Sequence, residues 1–526
     1  MNKGIAELRV GDYVLSRNQD GEYEYKKVIN TFDNSTQLVR DYYLDDDTVI
    51  TCTPGHRVMF DGAFTPIEAC ETVDTMNGPV KVWDSSELRE EHVYDIEVED
   101  NHNFVSGGKL FHNCRAGAQT PFSSINYGTD TTAEGRMVTR ATLDETDAGL
   151  GGGETPIFPV QVFKCKTSVN LNPGSKNHDL FQLACKVTAK RLFPNFSFLD
   201  SPYNAMYYKE DRPETEMAVM GCRTRVLAND YSPENAVSPG RGNFAFCTIN
   251  LPALGIRAKG DVAKFFELYD EMIDACIKQL KDRFNWVSKK HTFNFPFLMG
   301  QGVYLGSDNL SEDDTVAEVL KHSSLSVGFV GLAECLVALT GKHHGESAIA
   351  NELGLRIVGH LRQRMDDETK TTGLNWSCFA TPAEGLCSRA AKLNRKRFGV
   401  IEGVTDREYL TNSFHVPVYY NISAFKKMQI EAPYHELCNA GSISYVELDG
   451  DLTKNVSVIE SLVHAAAKLN MNYFSVNHPV DRCPICGYTG VIGDECPRCG
   501  FTEDNGVSIE HLRACNCNEV LKRIDM

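Results

Sequence analysis

The sequence predicts an all-β domain, then a larger mixed α/β domain, and finally a small cysteine-rich domain that folds around a metal. Short strand-like runs separated by turn residues recur up to about residue 113. From residue 114 to about residue 480, amphipathic helical patterns alternate with strand-like runs. Two Cys-x-x-Cys pairs stand close together within 481–526, a segment whose own core is too small to be stable without a metal. We therefore divide the chain into 1–113, 114–480 and 481–526.

The first domain is predicted as a compact β-fold because no amphipathic helix of useful length appears in it. Its clearest strand patterns cover 13–15, 48–51 and 93–98. Turn residues, such as the Thr-Pro-Gly run at 53–55 and the Ser-Gly-Gly run at 106–108, separate these strands. Many short strands joined in this way are typical of small β-folds.

In the second domain, predicted helices alternate with strands such as 442–448. The glycine-rich run 149–153 is predicted as a loop, because it does not fit the dinucleotide-binding pattern Gly-x-Gly-x-x-Gly. Two predicted helices each carry an apolar face. In 261–282 this face is Phe265, Leu268, Met272, Cys276 and Leu280, and in 457–469 it is Val458, Leu462, Ala465 and Leu469.

Composition and charge exclude several classes of protein. The 526 residues carry a formal net charge of −18, which argues against a broad surface for DNA or RNA. No apolar run of about 18 residues predicts a membrane span, and the first residues do not form a signal peptide. The 18 cysteines then predict reduced thiols, metal ligands or catalytic groups. We expect a cytoplasmic protein with neither a membrane nor a nucleic acid as a direct partner.

A self-processing site is predicted where the β-domain ends, at Phe-His-Asn-Cys, 111–114. The side-chain nitrogen of Asn113 can attack its own carbonyl carbon and break the chain, and His112 can donate a proton to the departing group. Cys114 can act as a nucleophile that accepts an acyl group. Upstream, Thr53 and His56 stand three residues apart in a turn and can polarise a peptide bond. Taken singly, each motif is weak and is better explained as a chance surface turn.

Together with the run 93–105, these motifs make residues 1–113 resemble the carboxy-terminal part of an intein. The resemblance implies a Hint domain, with the horseshoe β-fold that inteins share with hedgehog autoprocessing domains. An intein normally opens with a Cys or Ser nucleophile, and this chain opens with Met1. The resemblance therefore implies the long half of a split intein, with a degenerate intein as the alternative. The implied splicing residues are Thr53, His56, Asp95, His102, His112, Asn113 and Cys114.

A second site is predicted downstream, in the runs 115–128, 220–225, 240–243, 325–334 and 412–417. From the residues alone, Cys222 is a buried thiol. Arg223 and Arg225 beside it could favour its thiolate, or could form the more common solvated pair.

The segment 114–500 resembles the carboxy-terminal portion of an anaerobic (class III) ribonucleoside-triphosphate reductase. The resemblance implies a ten-stranded glycyl-radical-type α/β barrel, here present in part, with a finger loop that carries a thiyl cysteine. It assigns that role to Cys222, which would remove the 3′ hydrogen of the ribose, and it assigns substrate hydrogen bonding to Asn243. The family's second active-site cysteine and its nucleotide-binding cone would both precede Cys114, so we expect them on a partner chain.

A zinc ribbon is predicted from Cys483, Cys486, Cys496 and Cys499, since two Cys-x-x-Cys turns can supply four thiolates to one tetrahedral ion. A redox pair is the alternative reading of such a motif. The resemblance also implies a glycyl radical close to this ribbon, but no glycine lies between Val507 and Met526. A truncated or degenerate chain, a further interruption of the gene near Cys515, or a separate glycyl-radical subunit would each explain this.

The function predicted from these sites is that of a trans-splicing precursor of an anaerobic reductase. The implied partners are an N-terminal intein–reductase fragment, a radical S-adenosylmethionine activating enzyme, a ribonucleoside triphosphate substrate and, after splicing, a second copy in a homodimer. One alternative is a self-cleaving or degenerate fragment without reductase activity. Another is a zinc-stabilised subunit that binds nucleotide or partner chains without catalysis.

Overall fold

The computed structural model divides the chain into two units, Met1–Pro121 and Phe122–Met526. The structure describes residues 3–18, 21–61, 63–76, 78–101, 103–112, 123–151, 155–295, 297–478, 481–483, 485, 489–490, 492, 495–496 and 498–502. The described ranges exclude the segment 503–526, which contains the expected position of the radical glycine, and four predicted site residues, His102, Asn113, Cys114 and Cys486. The boundaries at 113 and 480 stay predictions.

The first unit contains strands and short 3₁₀ turns, and no α-helix among its described residues. Its ten strands form one antiparallel sheet system in the order β1-β2-β7-β6-β10-β4-β5, with β3 and β8 paired to β2 and β9 paired to β10. The strands are β1 Tyr13–Arg17, β2 Tyr23–Leu44, β3 Val49–Cys52, β4 Arg57–Phe60, β5 Ala63–Pro66, β6 Thr72–Thr75, β7 Gly78–Ser85, β8 Arg89–Val98, β9 Asn103–Ser106 and β10 Lys109–His112.

One long strand organises this unit. The 22 residues of β2 pair with β1 over 23–27, with β8 over 28–39, and with β3 and β7 over 40–44. Apolar side chains from these strands, including the fully buried Val28 and Val98, make the core of the unit. Within the sheet β10 lies between β6 and β4, so backbone pairing holds the residues just before 113 from both sides.

The second unit combines helices with two main sheets. The strands are β11 Ser124–Tyr127, β12 Val160–Cys165, β13 Asn195–Phe198, β14 Asn243–Asn250, β15 Ser324–Val330, β16 Asn375–Ala380, β17 Ser444–Glu447, β18 Tyr473–Asn477, β19 Asp481–Arg482 and β20 Thr489–Gly490. The helices are α1 Ala133–Ala148, α2 His178–Arg191, α3 Pro202–Ala205, α4 Leu251–Ala258, α5 Val262–Val287, α6 Ala317–Leu320, α7 Leu332–Thr340, α8 Ala348–Thr372, α9 Glu384–Phe398, α10 Ala424–Leu437 and α11 Val456–Lys468.

Backbone hydrogen bonds connect the two main sheets. One sheet is mixed, in the order β11-β12-β13-β18-β17, and the other is parallel, in the order β14-β15-β16. The Ala440 N–H donates to Cys378 O at 2.9 Å and the Ala380 N–H donates to Gly441 O at 3.1 Å, just before β17 begins. The described strands thus form a series of eight, whereas the predicted barrel has ten strands. Neither β11 nor β14 has a second strand partner among the described residues.

The helical faces match the predicted periodicity in part. On α5, Phe265 and Leu280 are fully buried, but Met272 is 37% exposed and Ile273 takes the buried position instead. On α11 the fully buried residues are Ile459, Val463 and Ala466, one position further along than predicted. Both helices carry apolar residues at adjacent positions, so the helical period predicts which face is apolar but not which residues of that face are fully buried.

Candidate functional site

The predicted splicing residues Thr53 and His56 lie in a turn that leads into β4. The His56 N–H donates to Thr53 O at 2.9 Å and closes this turn. Since β4 pairs with β10 through Val58 opposite Phe111, the turn lies beside the end of β10. The ring centroids of His56 and Phe111 are 5.7 Å apart.

His56 and His112 lie close enough to influence each other. Burial, and after it the neighbouring His112 ring, lower the pKa of the His56 imidazole. The His112 ring packs edge-on against Phe64, with 4.5 Å between centroids. A buried histidine with a lowered pKa is neutral at physiological pH, and a neutral imidazole can both donate and accept a proton. The structure therefore brings together three of the predicted residues, Thr53, His56 and His112.

Asp95 is a partly desolvated carboxyl group on β8. Its described hydrogen bond comes from the backbone N–H of Ile96, at 2.8 Å. Burial raises the pKa of Asp95 to about 6, and the bond from Ile96 offsets only part of this effect. A carboxyl group with such a pKa can exchange a proton near neutral pH, which suits an acid–base role. No described contact joins Asp95 to His56 or His112.

Cys222 lies at the tip of a tight turn. Met220 and Thr224 form an antiparallel pair whose N–H···O bonds measure 2.7 and 3.1 Å, and the three residues between them make the turn. Gly221 has a φ of +57°, a conformation that a side chain disfavours. The Cys222 side chain is half-buried rather than buried as composition predicts, because a tip position leaves it partly accessible.

Side chains of β11 hold one side of this turn. Asn126 makes two bonds to the backbone of Val219, accepting from its N–H at 2.9 Å and donating to its carbonyl at 2.8 Å. Ser124 Oγ accepts a bond from the Gly221 N–H at 3.1 Å. The position of Cys222 is thus set by a strand almost a hundred residues upstream.

The other side of the turn lies against the segment that links the two sheets. The Arg225 N–H donates to Ala440 O at 2.9 Å. Gly441 approaches the turn so closely that a Cβ there would lie 2.1 Å from Arg223 O. Glycine at 441 is therefore required for the observed path of the turn.

The two arginines beside Cys222 are both buried, so the interpretation of a solvated pair is wrong. Arg225 donates to Asn204 Oδ1 at 2.6 Å and to the carbonyls of His435 and Cys438 at 3.4 and 3.2 Å. Arg223 is 5% exposed, and its Nε and Nη1 atoms have no hydrogen-bond partner among the described residues.

Asn243 opens β14 and belongs to a polar row across the parallel sheet. Its Nδ2 donates to Ser326 Oγ at 2.5 Å, and Ser326 Oγ lies 2.8 Å from Ser377 Oγ. The opposite face of the same strands is apolar and packs in the main core, for example through Val327 and Cys378. The Oδ1 atom of Asn243 is buried and has no described partner, so it can accept a bond from a ligand. No described contact joins Asn243 to Cys222.

Sequence reasoning singled out 412–417 as a motif but gave it no role. Two buried carboxyl groups hold the ends of this segment. Glu334 Oε1 accepts bonds from the Thr411 N–H at 2.7 Å and the Thr411 hydroxyl at 2.6 Å, and Glu431 Oε1 accepts from the Val416 N–H at 2.9 Å. Between them, Ser413 Oγ is buried without a described partner. The sequence marked this segment as a motif but did not reveal how it is anchored, because the two carboxyl groups that hold it are not adjacent to it in the chain.

Three of the four predicted zinc ligands converge. The sulfur atoms of Cys483, Cys496 and Cys499 all lie within 4.8 Å of one another, and all three residues are buried. The Gly500 N–H donates to Cys496 O at 2.8 Å, with a φ of +68° at Gly500, which makes a tight turn around the second pair. Clustered cysteine sulfurs fit Zn²⁺, which prefers tetrahedral thiolate coordination. The described residues thus provide a cluster of three sulfur atoms that could hold a metal ion, with Cys486 outside the described ranges.

Of the helices in the described part of the chain, none is both long and apolar enough to cross a bilayer.

Comparison with known proteins identifies relatives of the second unit. The anaerobic ribonucleoside-triphosphate reductase family matches residues 110–513. The chain is 36% identical over 411 residues to the anaerobic ribonucleoside-triphosphate reductase of Enterobacteria phage T4, covering 76% of this chain and 63% of that relative. Across the curated relatives it matches, the chain spans 51% to 63% of their length.

Solved structures resemble the chain more distantly. The anaerobic ribonucleotide reductase of Thermotoga maritima is 16% identical, covers 73% of this chain and 62% of its own, and gives a TM-score of 0.47. A DnaB intein from Synechocystis is 20% identical, covers 21% of this chain and 86% of its own, and gives a TM-score of 0.20. The family match includes more than three quarters of the residues and rests on sequence. The chain therefore belongs to the anaerobic ribonucleoside-triphosphate reductase family.

Proposed function

We propose that the chain is a trans-splicing precursor that assembles an anaerobic ribonucleoside-triphosphate reductase. The observation that carries this proposal is the position of the family match, which begins at residue 110, three residues before the predicted junction at Asn113. A β-sheet unit that brings His56 and His112 together thus ends where the reductase sequence begins. A fusion of unrelated domains gives no reason for the family match to begin beside the predicted splice junction.

The splicing chemistry falls on seven residues of this chain. The upstream segment is first bound through its acyl group to the nucleophile of the partner's intein half. The thiol of Cys114 attacks this acyl group, the bond to that nucleophile breaks, and a thioester forms on Cys114. The side-chain nitrogen of Asn113 then attacks its own carbonyl carbon, which forms a succinimide and breaks the bond to Cys114. His112 gives a proton to the freed amine, and the acyl group moves from sulfur to nitrogen. Thr53 and His56 polarise the first bond, while Asp95 and His102 support the later steps.

The reductase chemistry centres on Cys222 and Asn243. As a thiyl radical, Cys222 removes the 3′ hydrogen of the ribose, which favours loss of the 2′ hydroxyl as water. Asn243 accepts a hydrogen bond from the substrate through Oδ1, which is buried without a described partner. The braced turn holds the Cys222 thiol in a defined position, and because that thiol is only half-buried, the parts added by splicing would complete the protection of the radical from water. The radical glycine expected for the family is not found among residues 507–526.

Splicing gives the reductase its missing parts. Among the described strands, β11 and β14 are the edges of the series of eight, and unpaired edges invite pairing with other strands. An upstream segment that adds two strands would complete ten. A Zn²⁺ ion held by Cys483, Cys496 and Cys499, with Cys486 as the fourth ligand, would stabilise the small C-terminal ribbon.

A second candidate is a self-cleaving or degenerate fragment without reductase activity. The missing radical glycine favours this candidate, because a reductase of this family needs one. Under it, the first unit would cut after Asn113 and release an inactive fragment. Asn113→Ala blocks cleavage under both candidates and cannot distinguish them.

The test is to add a synthetic short intein half, fused to upstream reductase sequence, to the purified chain. Splicing predicts a ligated product that contains Cys114 and excludes 1–113. Cys114→Ala should prevent ligation, while Cys222→Ala serves as the matched cysteine control and should ligate normally. Cleavage without ligation in the parent chain would reject the proposal in favour of the second candidate. If ligation succeeds, deoxyribonucleotide formation by the activated product should disappear with Cys222→Ala.

A further inference from the structure

Arg223 is a buried cation whose Nε and Nη1 atoms find no acceptor among the described residues. Its side chain is 5% exposed, its Nε and Nη1 atoms have no hydrogen-bond acceptor, and no ion pair involves it among the described residues. The nearest described aromatic ring is that of Tyr445, 6.0 Å from its guanidinium carbon. A buried charge is costly unless it is paired, so a group in this state calls for an explanation.

A second buried arginine, Arg241, shows how this protein satisfies a guanidinium group that has a structural role. Arg241 is also 5% exposed. Its Nε donates to His322 O at 2.9 Å, its Nη1 to Val237 O at 3.0 Å and its Nη2 to Ala228 O at 2.6 Å. Every nitrogen of Arg241 therefore has a carbonyl partner, whereas two nitrogens of Arg223 have none.

A second unpartnered donor lies in the same region. The Tyr445 ring lies 6.0 Å from the Arg223 guanidinium carbon and 5.7 Å from the His415 ring, so the guanidinium is near the segment held by Glu334 and Glu431. In agreement with this proximity, the positive charge of Arg223 lowers the pKa of His415, after the larger effect of burial. Two residues before His415, the Ser413 side chain is fully buried and its Oγ has no described partner. Ser413 has a φ of +42°, a strained conformation that local structure must maintain.

We propose that Arg223 and Ser413 bind a phosphate group of the nucleotide. A guanidinium offers parallel N–H donors that match two oxygens of a phosphate, and a serine hydroxyl adds a third donor. The Glu334 carboxyl group in this region does not oppose an anion strongly, because burial raises its pKa and favours its neutral form. This inference rests on the proposed reductase function, and it assigns to Arg223 the recognition of the anionic end of the substrate beside Cys222.

The first test needs only the full chain without ligand. If Arg223 awaits a ligand, Arg223→Met should leave Tm unchanged or raise it, because an unpartnered buried charge is removed. The matched control, Arg241→Met, should lower Tm by several degrees, because buried carbonyls lose their donors. An equal loss of Tm in both variants would give Arg223 a structural role and overturn the inference.

The second test uses the ligated reductase and compares a ribonucleoside triphosphate with the same nucleoside lacking phosphate. Arg223→Met should weaken binding of the triphosphate about 10- to 100-fold and leave binding of the nucleoside unchanged. Ser413→Ala should act in the same direction with a smaller effect. Inorganic triphosphate should compete with the nucleotide in the parent enzyme and not in Arg223→Met.

The outcomes separate this inference from the proposed function. If the parent enzyme binds the triphosphate and Arg223→Met binds it equally well, the inference fails while the reductase proposal stands. If the parent enzyme binds neither compound, both fail. Equal weakening of triphosphate and nucleoside would mean that Arg223 supports the site as a whole, and would also overturn the inference.

Discussion

The close approach of Gly441 to the Cys222 turn allows a sharp test of how that turn is held. Gly441 has a φ of +140°, and a Cβ added there would lie 2.1 Å from Arg223 O, 2.9 Å from Arg223 C and 3.0 Å from Thr224 Cα. Real Cβ atoms essentially never approach other heavy atoms closer than 3.0 Å. All three neighbours are backbone atoms, so a side-chain rotation cannot relieve the overlap. Gly441→Ala must therefore displace the turn by about 1 Å.

We expect Gly441→Ala to lower the free energy of unfolding by about 2–4 kcal/mol, from overpacking and from the strained φ together. The displacement also moves Cys222 relative to its substrate, and a misplacement of this size costs about 100-fold in turnover. Splicing should be unaffected, because its residues belong to the first unit.

The assay is urea unfolding of the full chain, followed by turnover of the ligated and activated reductase. Gly359→Ala is the matched control, since its added Cβ meets no atom within 4 Å and lies within α8. Alanine is favoured over glycine inside a helix by about 1 kcal/mol, so this control should be slightly more stable and fully active. Gly441→Ala with parental stability and turnover would refute the described path of the turn.

Three further predictions concern the other sites. Burial raises the pKa of Asp95 to about 6 from its usual 3.8, so folding favours the protonated form. The contribution of Asp95 to the free energy of unfolding should therefore decrease by about 2 kcal/mol between pH 4 and pH 7, and Asp95→Asn should remove this contribution in urea titrations. Cys496→Ser should lower bound zinc from one ion per chain to well below one in elemental analysis, whereas Cys335→Ser, at a buried cysteine outside the cluster, should not. Asn113→Ala, mixed with the short intein half, should accumulate the branched or uncleaved precursor in mass spectra, and appearance of free ligated product would contradict the assigned role of Asn113.

Local pattern predicted much of the fold. The strand at 13–15 and the helix at 261–282 appear as Tyr13–Arg17 and Val262–Val287, because alternation and helical period record which residues are buried. The length of β2 was not predictable, since its 22 residues are held extended by four different partner strands rather than by local preference. The centre of the buried stripe on α11 depended on its packing partners in the same way.

Site residues that are close in sequence could be predicted, whereas those brought together by the fold could not. Cys496 and Cys499, like Thr53 and His56, are close in sequence, so spacing alone revealed them. The bonds between Glu334 and Thr411 join residues 77 positions apart, and no local signal marks them. The missing partners of Arg223 are likewise visible only in three dimensions, because burial and hydrogen bonding depend on distant elements.

The most direct measurement is peptide mass spectrometry of a native protein extract, directed at the tryptic peptide that ends with Cys114-Arg115. The account predicts a peptide in which residues from another chain precede Cys114 in place of Phe111-His112-Asn113. Such a peptide would establish that the reductase is assembled by ligation at this position. Detection of only the uninterrupted peptide 110–115, or of a peptide that starts at Cys114, would contradict trans-splicing and leave the chain an uncut or merely cleaved fragment.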